Sequence, residues 1–144
     1  MSRSVVFAVS LAALFVAHHV GDHVFQTDRQ AARKADPQTY GAGASWRAMG
    51  GHLLGYHATA LIILLATAAV LRLPLSVTGV VVALVFSAVT HALLDRRWPV
   101  RALLRATGSP MFAEAKTPVC GLYAADQALH RLALLVSALL LATL

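Results

Sequence analysis

The sequence predicts an all-α integral membrane protein, a four-helix bundle in one domain over residues 1–144, with both termini outside and two long cytoplasmic loops. Three observations predict it: a shortage of charge, four apolar runs of bilayer-crossing length, and a lopsided distribution of Lys and Arg. Hydrophobic residues make up 58% of the chain and charged residues 12%. A soluble domain of this size needs about twice that charge to cover its surface. A β-barrel is excluded, because it requires many short alternating segments. The formal charge of +6 does not point to nucleic acid, since the basic residues fall between apolar runs with no aromatic-rich basic face.

The first run extends from Val5 to about Val24, the second from about His52 to Leu71, the third from Leu75 to about Leu94, and the fourth from Val119 to about Ala142. Each is near the ~20 residues that cross a hydrocarbon core of ~30 Å as a helix. The first is expected to be retained rather than cleaved as a signal peptide: Arg3 is the single charge ahead of it, and it ends in His18-His19-Val20-Gly21-Asp22. Arg72-Leu73-Pro74 forms a tight turn between the second and third spans, with Pro74 expected just inside the next helix.

The remaining connections are long and basic. Arg29, Arg33, Lys34 and Arg47 lie in one, and Arg96, Arg97, Arg101, Arg105 and Lys116 in the other, against Arg3 and Arg72 on the opposite side. Cytoplasmic loops collect Lys and Arg, so both long loops are expected inside a multi-pass chain in the cell membrane. Gly41, Gly43, Gly50 and Gly51 predict a flexible end to the first loop. Trp98–Arg105 predicts a short interfacial helix, with Arg101 and Arg105 one turn apart and Trp98, Leu103 and Leu104 available to the headgroup layer. Cys120 is the single cysteine, so no intramolecular disulfide forms.

The ionisable residues of the spans fall into sets four apart: His18 with Asp22, His91 with Asp95, and Asp126 with His130. His52 opens the second span, followed by Tyr56 and His57. Residues four apart share a helix face. The alternating direction of the spans brings all four sets to the cytoplasmic side at one depth. Ionisable groups inside a membrane are costly and seek partners in the bundle interior.

Two readings compete for this cluster. His–Asp pairs can serve as interhelical hydrogen-bonding glue. Alternatively, His18, Asp22, His52, His91, Asp95, Asp126 and His130 supply ligands for a divalent transition metal, zinc, iron or manganese, since imidazole and carboxylate suit those ions. Surplus groups would then orient the ligands or hold a second ion. His52 and His57 are not separable at this level. His19 and His23 face other directions, Tyr56 is expected as an interface anchor, and Asp28 and Lys34 as loop charges.

The combination His18-x-x-Gly21-Asp22-x-x-x-Gln26-Thr27-Asp28, Lys34, His52, His91-x-x-x-Asp95 and Asp126-Gln127-x-x-His130 resembles domain-of-unknown-function family 3307, small integral membrane proteins of bacteria. The resemblance covers nearly the whole chain. It departs at His23, where the family more often has an aromatic residue. It implies a multi-span protein of the bacterial cytoplasmic membrane and brings no activity with it. A weaker likeness is to membrane-bound metal-dependent hydrolases, resting on residue type and setting alone.

Three functions follow as expectations. In the first, the metal produces a hydroxide nucleophile, and one of Asp22, Asp95 and Asp126 acts as general base. The substrate is then an amphiphile such as a phospholipid or isoprenoid entering from the membrane lipids. Gln26, Gln127 and Arg131 are candidate contacts to it, and basic loop residues hold its anionic head. In the second, the protein is a proton or metal-ion transporter or channel subunit. The apolar outer halves of the spans oppose this unless an oligomer forms the pore. In the third, it is a non-catalytic membrane component, and Asp-to-Asn changes are nearly silent.

Overall fold

The computed structural model describes residues 1–144, and every regular element in it is helical. Four helices are long and apolar enough to cross a membrane: α1 (Arg3–His23), α4 (Ala42–Leu71), α5 (Val77–Leu94) and α8 (Gly121–Thr143). Four short helices fill the two long connections: α2 (Asp28–Arg33) and α3 (Pro37–Tyr40) in the first, α6 (Trp98–Ala106) and α7 (Pro110–Glu114) in the second. Large apolar side chains such as Leu54, Ile62, Val70, Val85 and Val89 point outward. A helix whose outside is apolar belongs in lipid.

Helix α1 packs between α4 and α8, and α8 between α1 and α5, while α4 and α5 touch far less than these pairs despite their short connection. The interior of the bundle is built from Ala13, Leu14 and Ala17 of α1, Ala60 and Leu64 of α4, Ala83 of α5, and Leu134, Ala138 and Leu141 of α8. Alanine at five of these nine positions lets backbones approach closely, which is how helices associate where lipid offers no hydrophobic gain.

Two sequence expectations are corrected here. The second span was expected to open at His52, but α4 begins ten residues earlier and runs for 30 residues. Gly43, Gly50 and Gly51 are therefore helical rather than loop. At ~1.5 Å per residue the helix is longer than a ~30 Å hydrocarbon core, so its first turns stand clear and carry α2 and α3. Gly51 serves that docking, since a Cβ there would sit 3.2 Å from Gln30 Nε2. The break falls at Gly41, whose φ of 80° suits glycine. Pro74 is the second correction: it lies in the turn, and Ser76 caps α5 by accepting from the Gly79 N–H at 2.8 Å.

The helix expected at Trp98 forms as α6, with Val100 fully buried and Trp98 and Leu103 exposed. Arg101 and Arg105 both reach Glu114 of α7, at 3.2 and 3.4 Å. Such exposed pairs contribute ~1 kcal/mol or less. Two non-glycine residues have positive φ, Arg72 (52°) after α4 and Arg97 (63°) before α6. Backbone of that kind costs on the order of 1–3 kcal/mol and persists where the surroundings impose it.

Candidate metal centre

The helix directions bring His18 and Asp22 of α1, His52 and Tyr56 of α4, His91 of α5 with Asp95 just beyond it, and Gln127 and His130 of α8 to one depth, all buried. Gly21 makes the α1–α4 approach possible. A Cβ on it would lie 2.8 Å from the Tyr56 ring, closer than real contacts allow.

At the centre, His52 Nε2 and His91 Nε2 face each other at 3.0 Å. Asp22 Oδ1 lies 3.3 Å from the first and 3.4 Å from the second. These three atoms form a triangle that fits one face of a coordination tetrahedron, whose edges are about 3.3–3.4 Å for bonds of about 2.0–2.1 Å. Asp22 Oδ1 is buried and makes no hydrogen bond. An orphaned carboxylate oxygen beside two imidazole nitrogens is a donor set suited to a divalent transition metal.

Asp95 Oδ2 stands 3.2 Å from each of the same two nitrogens, but it also accepts from Lys34 Nζ at 2.7 Å. Burial pushes the Asp95 carboxyl up. The neighbouring His52 and His91 imidazoles and the charge on Lys34 outweigh that and hold it far below the ordinary carboxylate range. Lys34 thus balances Asp95, and Asp22 has no Lys or Arg partner. Lys34 is buried, which corrects its reading as a loop charge. Its carbonyl accepts from Ser45 Oγ and Arg96 Nη1, at 3.2 and 3.0 Å. The Arg96 guanidinium stacks on Trp46 at 3.7 Å from the ring centroid. This clamp fixes the segment after α2 so that the ammonium group reaches Asp95.

His18 sits beside the triad. Its Nε2 is 3.1 Å from Gln127 Oε1, and its Nδ1 is 3.3 Å from the Tyr56 hydroxyl and 3.4 Å from Asp22 Oδ2. If the Nε2–H donates to Gln127, Nδ1 accepts from Tyr56, so both nitrogens are engaged. His18 is therefore held by Gln127 and Tyr56 and lies beside Asp22. Tyr56 is 2% exposed, which corrects its expected role as an interface anchor. His130 donates from Nδ1 to the Asp126 carbonyl at 2.9 Å, leaving Nε2 buried and unpartnered. That hydrogen bond selects the tautomer whose Nε2 can ligate. His130 groups with His91 and Asp95 in a second set of metal-capable atoms.

His52 rather than His57 enters the cluster. His57 lies on the next face, with Nδ1 bonded to the Leu53 carbonyl at 2.8 Å and Nε2 to Ser87 Oγ at 3.1 Å. His23 pairs with the Tyr123 hydroxyl at 2.6 Å, and His19 packs edge-on to Phe15.

A cavity of about 290 Å³ borders the cluster between the ends of α1 and α5 and the start of α8. Asp22, Asp95 and Asp126 line it, together with Gln26, Gln127, Lys34 and Arg97. Asp126 Oδ1 is buried without a partner. Gln26 donates to the Asp22 carbonyl at 3.0 Å. Arg131 lies elsewhere, over Phe15 at 5.7 Å and beside an apolar groove between α1 and α8. Sequence reasoning counted Arg96 and Arg97 only as basic loop residues and missed Ser45 and its bond to Arg96. It also missed that Cys120, exposed at the start of α8, lines this cavity.

A family model described as "Protein of unknown function (DUF3307)" matches residues 10–144. No curated protein and no solved structure matches the chain.

Proposed function

Since the chain belongs to the DUF3307 family, whose description carries no activity, we propose from the site itself that it is a metal-dependent hydrolase working on a lipid-like substrate within the bacterial cytoplasmic membrane. The observation that carries this reading is the triangle of Asp22 Oδ1, His52 Nε2 and His91 Nε2, with edges of 3.0–3.4 Å, at the wall of a polar cavity. Those three residues would hold a zinc, iron or manganese ion and leave room for water on the cavity side. The ion's contribution, when bound, is to bring the pKa of its water toward ~7.

The other residues divide the remaining work. Gln127 and Tyr56 hold the His18 imidazole beside Asp22. Lys34 keeps Asp95 ionised and paired beside the same two imidazole nitrogens that Asp22 faces. Asp126, on the cavity wall with a free buried oxygen, is the carboxylate placed to take a proton from an attacking water. An ion-transport reading has less support. Beyond the cluster the interior is filled by Leu14, Leu64, Leu134, Leu141 and alanines, with Ser10, Thr59 and Ser137 as its buried polar groups.

Metal content of the detergent-purified protein, measured by mass spectrometry, tests the reading. About one transition-metal ion per chain is expected in the wild type, with most of it lost in Asp22→Asn and His52→Ala. Asp126→Asn should keep the metal and lose hydrolysis of lipid-like esters. A wild-type protein that takes up no zinc, iron or manganese when these are supplied would sink the metal reading and leave a hydrogen-bonded cluster.

A further inference from the structure

We propose that the cavity beside the metal centre is a phosphate-ester site. Arg97 binds the phosphate at the cavity wall, and the apolar chain of the same molecule lies in the groove between α1 and α8. This rests on the metal reading above and names the substrate class for it.

Arg97 is the basic residue at the cavity that has nothing to bind. Its neighbours are engaged, Arg96 with Trp46, Ser45 and the Lys34 carbonyl, and Arg101 and Arg105 with Glu114. Lys34 is committed to Asp95. Arg97 makes no side-chain hydrogen bond, ion pair or ring contact, and it is exposed while lining the cavity. Its backbone is held at φ 63° and ψ −32°, between the last turn of α5 and the first of α6. A non-glycine residue kept in such a conformation marks a place where position matters more than local stability.

Charge sets the order of binding. Asp22, Asp95 and Asp126 face the cavity against Lys34 and Arg97, an excess of one negative charge that repels an anion. A divalent ion on Asp22, His52 and His91 turns this into an excess of one positive charge. The anion therefore enters after the metal. A phosphate fits better than a carboxylate, because a guanidinium fork takes two of its oxygens and others remain for the metal side.

Size and seam indicate an amphiphile. About 290 Å³ is at the small end for a ligand site and suits a headgroup alone. The groove, about 730 Å³, is walled by Phe7, Leu11, Phe15, Leu132 and Leu135, with Arg131 among its lining. It lies on the same α1–α8 seam as His23 and Tyr123, which line the cavity and bond to each other at 2.6 Å. Seven residues of helix separate Val16 from His23, about 10 Å along the axis, which a lipid chain spans.

The test uses full-length protein in detergent, first assayed for metal and then loaded with manganese. Paramagnetic broadening of the phosphorus resonance reports binding of glycerol phosphate and of dodecyl phosphate. In the wild type both should be broadened, dodecyl phosphate at the lower concentration, and chelation should abolish both effects. Arg97→Gln should weaken both ligands at least tenfold. Ala12→Trp, which fills the groove from an exposed position, should weaken dodecyl phosphate alone. Metal-loaded Arg97→Gln protein that binds as the wild type does overturns the proposal and leaves the metal reading intact. Equal affinity for the two ligands, unchanged by Ala12→Trp, removes the lipid source and leaves a free phosphate ester. Dodecanoate binding as tightly as dodecyl phosphate overturns the phosphate assignment. Absence of metal in the wild type fails the underlying reading, and this one with it.

Discussion

Lys34 places an ammonium group in the interior, where it is tolerated because Asp95 lies 2.7 Å away. Removing one partner of a buried pair strands the other, at a cost of about 3–5 kcal/mol. Lys34→Met should therefore lower the melting temperature in detergent sharply. Lys34→Met with Asp95→Asn should be less damaging than Lys34→Met alone; a double variant no better than the single one would show that the pair is not coupled. Tyr56→Phe should cost about 1 kcal/mol, the net worth of a hydrogen bond, read as a lower melting temperature in detergent. The residues four apart on one helix were legible in the sequence, because helical periodicity alone aligns His18 with Asp22 and His91 with Asp95. Tyr56 carried the same signal, four residues after His52. Lys34 did not, because its reach to Asp95 depends on how the chain after α2 docks on α4, and no period encodes that.

Helix existence was more legible than helix extent. Apolar run length located all four long helices, since hydrocarbon thickness sets a minimum that few other sequences satisfy. It could not locate the start of α4, because the first turns lie outside the apolar run and contain Gly43, Gly50 and Gly51, each costing about 1 kcal/mol in a helix. Docking of α2 and α3 overrides that propensity. Two glycines mark where helices meet most closely. Gly21→Ala should force α1 away from Tyr56 and cost about 1–3 kcal/mol, as overpacking does. It should weaken metal binding at the same time, measurable by competition with a chelating dye. An unchanged metal affinity would mean that Asp22 does not depend on this approach. Gly121 meets the Phe112 carbonyl so closely that no Cβ fits, which ties the start of α8 to α7. Arg72 is the converse case. At φ 52° it occupies a position that glycine fills without strain, so Arg72→Gly should stabilise the chain by about 1 kcal/mol.

At the level of the whole molecule, the asymmetry of Lys and Arg predicts which side the cluster faces, and Cys120 offers a direct check. It is the one cysteine and it is exposed at the cluster end. A membrane-impermeant maleimide should label it in inverted vesicles and leave it untouched in intact cells; the opposite pattern would reverse the orientation. The convergence of four helices on one polar layer was legible from alternating span directions. The pairing inside that layer was not, because which imidazole nitrogen meets which carboxylate depends on side-chain geometry. His91 carries the consequence. It belongs both to the set with Asp22 and His52 and to the set with Asp95 and His130, and a neutral imidazole has one lone pair to give. The two sets therefore compete for a single donor. Saturation at one equivalent of metal follows, and His91→Ala takes a donor from both sets where His52→Ala takes one from the first alone.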